Sequence, residues 1–298
     1  MVWGCGGKLP PPDPARLAEA KDGLNQGNYW YERGCYRESE RFFQGGLESA
    51  RLSDNVLLII LAQNSLGAAA LAQGETAAAA DYLEQALNIA SGHPGQPGLD
   101  KVLGNLGALA YRLGRSQEAR DFWSQAAELA LERGQSPALY YCDLARLYLE
   151  TGPAEEFAQL AAQALAAAQL HPEDQVTLAD ALNLAGQAAR AAGETALAEE
   201  RFRQALELDR RTENTVGLAQ DTESLGLLLI QLEHYSEAAG LLDRAFFLWL
   251  AAANDQSADR VLTTLQKLSR DHRFPRKIEP YQTVRRQPEP HRLAGRCP

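Results

Sequence analysis

Small and apolar residues recur along this chain in pairs of short amphipathic segments. The clearest pair occupies 102–131, which reads VLGNLGALAYRLGRSQEARDFWSQAAELAL, with Gly114 between its halves. Apolar residues spaced three and four apart predict an α-helix in each half. Glycine readily adopts the left-handed conformation that ends a helix. The segment therefore predicts two antiparallel helices joined at Gly114, which we call the hinge of this repeat.

The same pattern recurs along the chain at intervals of about 40 residues, as expected of a repeat protein. The hinge positions are Gly34, Gly74, Gly114, Gly152, Gly193 and Glu233. Seven residues before each hinge stands a small residue: Gly27, Gly67, Gly107, Ala145, Gly186 and Gly226. Nine residues after it stand Phe43, Leu83, Trp123, Ala161, Phe202 and Leu242. This spacing predicts helices pressed together at small residues, with one large side chain per repeat filling the gap to the next layer.

The pattern changes in repeats one and four and after repeat six. The first helix of repeat one, around 21–32, is interrupted by glycine and rich in aromatic residues, as expected of a terminal unit. Repeat four has Phe157 at a small position and Ala161 at the large one, so we expect the two to exchange volume. Residues 257–271 predict one more helix, which should cap the apolar flank formed by 246–249.

Composition and charge support an all-α chain and limit its partners. Apolar residues make up 45% of the sequence, mostly Ala and Leu, which are strong helix formers. The net charge is −10, and this acidic balance argues against nucleic acid as the main partner. The segment 273–298 reverses the balance and is proline-rich, so we expect a disordered basic tail.

The third repeat resembles the tetratricopeptide repeat (TPR) family. Its signature positions are filled by Leu106, Gly107, Ala119, Trp123 and Ala126. The resemblance implies a right-handed α-solenoid of about six helix pairs with a C-terminal capping helix, although the period exceeds the usual 34 residues of the family. The predicted organisation is a proline-rich leader (1–14), one TPR superhelix (15–272) and the tail (273–298).

In the TPR family, the first helices of successive repeats line a concave groove that holds peptides or helices. The positions that the resemblance carries over are Leu61, Asn64, Leu71, Lys101, Ala108, Tyr111, Arg112, Leu139, Arg146, Asn183 and Arg190. Most of the central positions are apolar, with Lys101, Arg112 and Arg146 beside them. We expect a peptide or helix with an apolar face and an acidic or C-terminal carboxylate end. Two alternatives are that the helices bury these residues and that the chain's own tail fills the groove.

Asparagines at 25, 64, 105 and 183 raise the possibility of the continuous asparagine ladder known from glycosyltransferase-associated repeats. They alternate between two adjacent helical positions, about 100° apart on the helix surface. We therefore expect capping or surface roles for these side chains.

The N-terminal segment around Cys5 resembles the junction of a bacterial lipoprotein, in which a cysteine after a small residue becomes lipidated. The basic and apolar segments of a signal peptide are missing before Cys5. Two settings follow: an envelope lipoprotein assisting assembly of a secretion, pilus or cell-wall complex, and a cytoplasmic regulator that binds a peptide or helix. Membrane association is expected only through Cys5.

No catalytic, metal or cofactor motif is present in the sequence, so we expect a protein-binding scaffold and not an enzyme. No apolar run approaches the length of about 20 residues that spans a bilayer. Cys35 and Cys142 are expected to be small buried residues, too far apart to form a disulfide. The partner is expected to be a protein or peptide, and the sequence does not determine the oligomeric state.

Overall fold

The computed structural model describes residues 13–95, 97–252 and 254–271, and within them the secondary structure is entirely helical. The helices are α1 (Pro14–Glu32), α2 (Tyr36–Leu52), α3 (Val56–Gln73), α4 (Thr76–Gly92), α5 (Leu99–Arg112), α6 (Ser116–Glu132), α7 (Ala138–Thr151), α8 (Ala154–Gln169), α9 (Gln175–Ala191), α10 (Thr195–Arg211), α11 (Thr215–Gln231), α12 (Tyr235–Ala251) and α13 (Asp255–Asp271). The predicted all-α array of helix pairs is confirmed. The tail 273–298 and residues 1–12 of the predicted leader lie outside the described residues.

The chain divides into two compact units, the first ending at Arg115 and the second beginning at Ser116. The first unit contains α1 to α5, and the second contains α6 to α13. Each unit is described by itself below. In both, the odd-numbered helices up to α11 are the first helices of their repeats.

The hinges adopt the conformation expected from glycine at five of six positions. Four hinge glycines have φ between 74° and 82°, and Glu233 has φ 63°. Nothing lies within 4 Å of a Cβ placed on any of the four glycines, so glycine is needed there only for the backbone conformation. The prediction is wrong at Gly152, which is extended with φ −113° and ψ 176°. Pro153 follows it, and a residue before proline is driven to extended conformations.

The large side chain of a repeat packs against the glycine of its own first helix. A Cβ on Gly27 would lie 2.3 Å from the ring of Phe43, and one on Gly186 would lie 2.6 Å from the ring of Phe202. Phe43 also belongs to one core cluster with Leu58 of the next helix, α3. The large residue therefore fills space inside its own repeat as well as space toward the next one.

Repeat four packs with its volumes rearranged. Phe157 is buried in the core cluster of α7, α8 and α9, although this position is small in the other five repeats, where it holds serine or alanine. Ala145 and Ala161 are both fully buried in the same cluster. The large ring thus enters the core four residues before the usual position, one helical turn away.

The capping helix α13 covers the end of the second unit. Its buried residues Val261, Leu262, Leu265 and Leu268 share a core cluster with Phe246 and Trp249 of α12. Phe247 belongs to the flank that α13 was expected to cover, but its side chain remains 49% exposed.

The two cysteines of the described residues differ in their state. Cys142 is a free, buried thiol. Cys35 is buried and disulfide-bonded, so the prediction of a plain small residue is wrong there.

Among the described helices, α3 alone has the length and hydropathy of a membrane span, and 56% of it is buried inside the protein. A core helix of a folded array passes the same test, so this is weak evidence for a membrane span.

Candidate functional site

A stripe of four polar side chains runs along one face of α9 in the second unit. Asp180, Asn183, Gln187 and Arg190 are spaced by three, four and three residues, which places them on the same side of the helix. Asn183 is 1% exposed, and the other three are half-buried. We call these four residues the α9 stripe.

Asn183 is the centre of a hydrogen-bond network between α9 and α11. Its Nδ2 donates to Asp221 Oδ1 at 2.6 Å and to Ser224 Oγ at 3.3 Å. Its Oδ1 accepts from Gln187 Nε2 at 2.6 Å and from Gln220 Nε2 at 3.3 Å. The amide is thus fixed in one orientation from both sides.

Arg146 of α7 connects to the other end of the α9 stripe. Its guanidinium donates to Asp143 Oδ1 at 3.0 Å, and it forms an ion pair with Asp180. Two carboxylates therefore already compensate the charge of Arg146, and they satisfy the donors that a partner's carboxylate would otherwise use.

Arg190, at the C-terminal end of the stripe, is in the opposite situation. Its side chain is half-buried and has no hydrogen-bond or ion-pair partner among the described residues. Burial lowers the pKa of Arg190, because removing a cation from water disfavours its charge. An anion placed beside this guanidinium would restore the lost solvation.

A second polar cluster joins α11, α12 and α13. Glu223 accepts hydrogen bonds from Trp249 Nε1 at 2.8 Å, Arg260 Nε at 2.9 Å and Arg260 Nη2 at 2.9 Å. The carboxylate of Glu223 is largely buried, whereas the Arg260 side chain is mostly exposed. This arrangement holds the capping helix against the last repeat.

The first-helix face of the first unit carries fewer polar contacts. Asn105 Nδ2 of α5 donates to Asn64 Oδ1 of α3 at 2.9 Å. Arg112 Nη1 donates to the carbonyl oxygen of Leu71, at the end of α3, at 2.5 Å. Arg112 also lies near Tyr31, whose pKa is raised by burial and by Tyr36 and lowered by the positive charge of Arg112.

The structure divides the predicted groove residues between the two units. In the first unit it brings together Asn64, Leu71 and Arg112 through the contacts just described, with Leu61, Ala108 and Tyr111 half-buried and Lys101 exposed. In the second unit, Arg146 and Asn183 are held in networks and Leu139 is 50% exposed. Arg190 has no partner within the part of the chain that the structure describes. The predicted lipidation site, Cys5, lies outside the described residues.

The expectation that the asparagines cap helices or lie on the surface is wrong for Asn64 and Asn183. Both are buried, and Asn64 bonds to Asn105 in the neighbouring first helix. Asn64 and Asn105 stand one position apart in their repeats, and their amide groups nevertheless meet.

Sequence reasoning missed the acids of α11 and α10 that complete the network. Asp221 and Glu223 are buried in α11, and Asp209 is buried near the end of α10. The available signal was the run Gln220–Ser224, which reads QDTES inside an otherwise apolar helix. Polar residues in such a place are typical of a buried hydrogen-bonded network. No group of three or more His, Cys, Asp or Glu among the described residues could hold a metal ion.

Residues 179–212 match the family model of the tetratricopeptide repeat, and this segment covers α9 and α10 of repeat five. A search of curated proteins finds no match. The sequence match to the tetratricopeptide repeat thus covers one repeat of the chain.

Solved structures with the same fold include two complexes. One is NprR with its cognate peptide NprX, with 17% identity and a TM-score of 0.60 over 92% of this chain and 79% of that chain. Another is a Rap protein with Competence and Sporulation Factor, with 14% identity and a TM-score of 0.61. It covers 89% of this chain and 77% of that chain. The apo quorum sensor NprR from B. thuringiensis has 15% identity and a TM-score of 0.57 over 89% and 86%. At these identities, the likeness shows the fold alone.

Proposed function

We propose that this protein is a non-catalytic binding protein that takes a peptide, or a helix of a partner protein, on the first-helix faces of its repeats. The observation that carries the proposal is the α9 stripe. Asp180 and Asn183 are fixed by an ion pair and by hydrogen bonds to the neighbouring first helices, and Gln187 is bonded to Asn183. The fourth member, Arg190, is a desolvated cation without a partner among the described residues. A row of oriented polar groups on rigid helices lowers the entropic cost of binding an extended chain.

The charges of the second unit favour a carboxylate at Arg190. Arg146 was one of three cations expected to bind such a group, but Asp143 and Asp180 already compensate it. Arg190 therefore takes over this role, and its guanidinium can hold a side-chain or C-terminal carboxylate with two parallel hydrogen bonds. Leu139, half exposed at the start of α7, offers an apolar contact on the same side of the repeats.

The comparisons support a peptide or protein partner more than a particular cellular setting. NprR is described in complex with its cognate peptide and a Rap protein in complex with Competence and Sporulation Factor, and both share the fold of this chain. These relatives favour the regulator interpretation over that of an envelope assembly factor. The lipoprotein interpretation depends on Cys5, and labelling with an alkyne fatty acid in wild type and Cys5→Ser would test it separately.

A displayed library of random peptides, selected on the full-length chain, tests the proposal. Selected peptides would be measured by calorimetry against wild type, Arg190→Ala and Gln187→Ala. The matched controls are Arg210→Ala and Gln204→Ala, which remove the same side-chain types from exposed positions of α10. We expect peptides enriched in a carboxylate, with affinity reduced about 10-fold or more by Arg190→Ala, as for a lost charge-assisted hydrogen bond.

The controls decide between the α9 stripe and another surface. If the α10 variants weaken binding as much as the α9 variants, the peptides bind elsewhere and the proposed site is wrong. If a well-folded wild-type chain enriches no peptide, and fragments of partner proteins displayed in the same way are not retained, the proposed function is wrong.

A further inference from the structure

Two buried carboxyl groups face each other between repeats five and six. Asp221 of α11 is 1% exposed and Asp209 of α10 is 2% exposed. Asp221 Oδ1 accepts the hydrogen bond from Asn183, whereas its Oδ2 is buried and accepts no hydrogen bond from a donor group of the described residues. The side chains of Asp221 and Asp209 interact directly. Two ionised carboxylates in direct contact would repel each other strongly in a buried environment.

The surroundings of the pair indicate which acid carries the negative charge. Asp209 Oδ1 accepts from Asn214 Nδ2 at 2.8 Å, and Asn214 is the N-cap of α11. Asp209 Oδ2 lies against Gly217 in the first turn of that helix. A Cβ placed on Gly217 would be only 1.9 Å from this oxygen. The N-terminus of a helix favours a negative charge. Asp221, one turn further along α11, lacks this stabilisation, so the proton belongs on Asp221.

We propose that Asp221 is a protonated acid that donates to Asp209 and positions Asn183, the central side chain of the α9 stripe. A protonated Asp221 gives its buried Oδ2 a hydrogen-bond partner in Asp209, while its other oxygen remains an acceptor for Asn183. Asn183 in turn presents its own oxygen to Gln187 and Gln220. The importance of this positioning for ligand binding rests on the proposed function. The protonation of Asp221 is independent of that function.

Burial and the neighbouring charges also favour a protonated Asp221. Burial raises the pKa of Asp221 to about 9, and the negative charges of Asp209 from α10 and Asp180 from α9 add to the effect. An acid whose pKa is raised on folding stabilises the fold fully below its unfolded pKa, near 4. That contribution is lost progressively as the pH rises toward 9. Wild type should therefore become less stable across this range because of Asp221.

Asp221→Asn is the decisive variant, because asparagine reproduces a protonated carboxyl group in shape and charge. Its Nδ2 can donate to Asp209 while its oxygen accepts from Asn183. Thermal unfolding of wild type, Asp221→Asn and Asp221→Ala would be followed from pH 5 to pH 9. Asp81→Asn, at an exposed position of α4, serves as the matched control.

We expect the melting temperature of Asp221→Asn to lie closest to wild type at pH 5 and to exceed it increasingly toward pH 9. Asp221→Ala should be less stable at pH 5, and Asp81→Asn should follow the wild-type curve. If Asp221→Asn is destabilised at every pH, or runs parallel to wild type, Asp221 is ionised in the fold and the proposal is wrong.

Carboxyl ¹³C NMR of aspartate-labelled full-length chain reads the proton directly, even if a variant fails to fold. The Asp221 resonance should keep the shift of a protonated acid at pH 7, and the Asn183 side-chain amide signals should survive in Asp221→Asn but broaden in Asp221→Ala. An ionised Asp221 signal at pH 7 would overturn the proposal. Neither measurement uses a ligand, so failure here is distinguishable from failure of the peptide-binding proposal.

Discussion

The first-helix faces of the two units have the same backbone but different chemistry. In the first unit, α3 and α5 present mostly apolar residues. They are joined by a hydrogen bond from Asn105 to Asn64 and by one from Arg112 to the backbone carbonyl of Leu71. In the second unit, α7, α9 and α11 are connected by buried acids, an amide and an arginine. The two units therefore share the framework of the repeat and differ in the polar groups on their first-helix faces.

The difference shows where each kind of stability comes from. The small and large positions of the repeat fill space in both units alike, so they carry the fold. Charged groups that are partly removed from water, such as Asp180 and Arg146, stabilise the fold only when their partners are in place. The small and large positions recur without these charges, so the polar network of the second unit is not part of the shared framework.

The largest expected effect is that of Glu223→Ala, which should act on the second unit alone. The substitution leaves Trp249 Nε1 buried without an acceptor and removes the partner of Arg260, so we expect a loss of about 3–4 kcal/mol. Urea unfolding would measure it, and hydrogen exchange would show which amides lose protection. Arg260→Ala is the control and should cost less, because the Arg260 side chain is mostly exposed. Equal loss of protection in α1 to α4 would contradict the separation of the units.

Glycine-to-alanine substitutions test whether the framework is shared. A Cβ at Gly67 would lie 2.6 Å from Leu83, and one at Gly186 would lie 2.6 Å from Phe202. Both variants overpack a buried contact, and we expect each to cost about 2–3 kcal/mol in chemical denaturation. Gly45→Ala is a control, since nothing lies within 4 Å of its Cβ. A large cost in one unit only would show that the repeats are not equivalent.

Asparagine-to-alanine substitutions test whether the faces differ. Asn183→Ala deprives Asp221, Gln187 and Gln220 of a partner, and we expect a loss of about 2 kcal/mol. Asn64→Ala breaks one bond, to Asn105, and should cost about 1 kcal/mol. Both are measured from denaturant midpoints, with the exposed Asn25→Ala as control. Equal costs for Asn183→Ala and Asn64→Ala would remove the distinction between the two faces.

The smallest expected effect is a stabilisation at the last hinge. Glu233 has φ 63°, a left-handed conformation that glycine adopts without strain. Glu233→Gly should therefore stabilise the chain by about 1 kcal/mol, and the reverse type of change, Gly193→Ala, should destabilise it by a similar amount. Melting temperatures in a matched buffer measure both. A decrease for Glu233→Gly would mean that the glutamate side chain has a role of its own.

Much of the fold could be predicted because its signals are local and repeated. The hinge glycines follow from the conformation that ends a helix, and the pairing of Gly186 with Phe202 follows from their offsets within one repeat. The extended Gly152 was also within reach, since Pro153 restricts it. The candidate site was harder to predict. Arg146 was expected to be an open cation, but its state depends on Asp180, which lies in the next repeat.

The sequence by itself determined the helix pairs, their period and the small and large positions at which they pack, because each depends on residues within a single repeat. Only the tertiary structure decided which polar side chains are paired, buried or left open on the first helices. Burial raises the pKa of Asp221, two carboxylates compensate the charge of Arg146, and Arg190 has no partner among the described residues. These states depend on contacts between neighbouring helices, and the pattern of any one helix does not contain them.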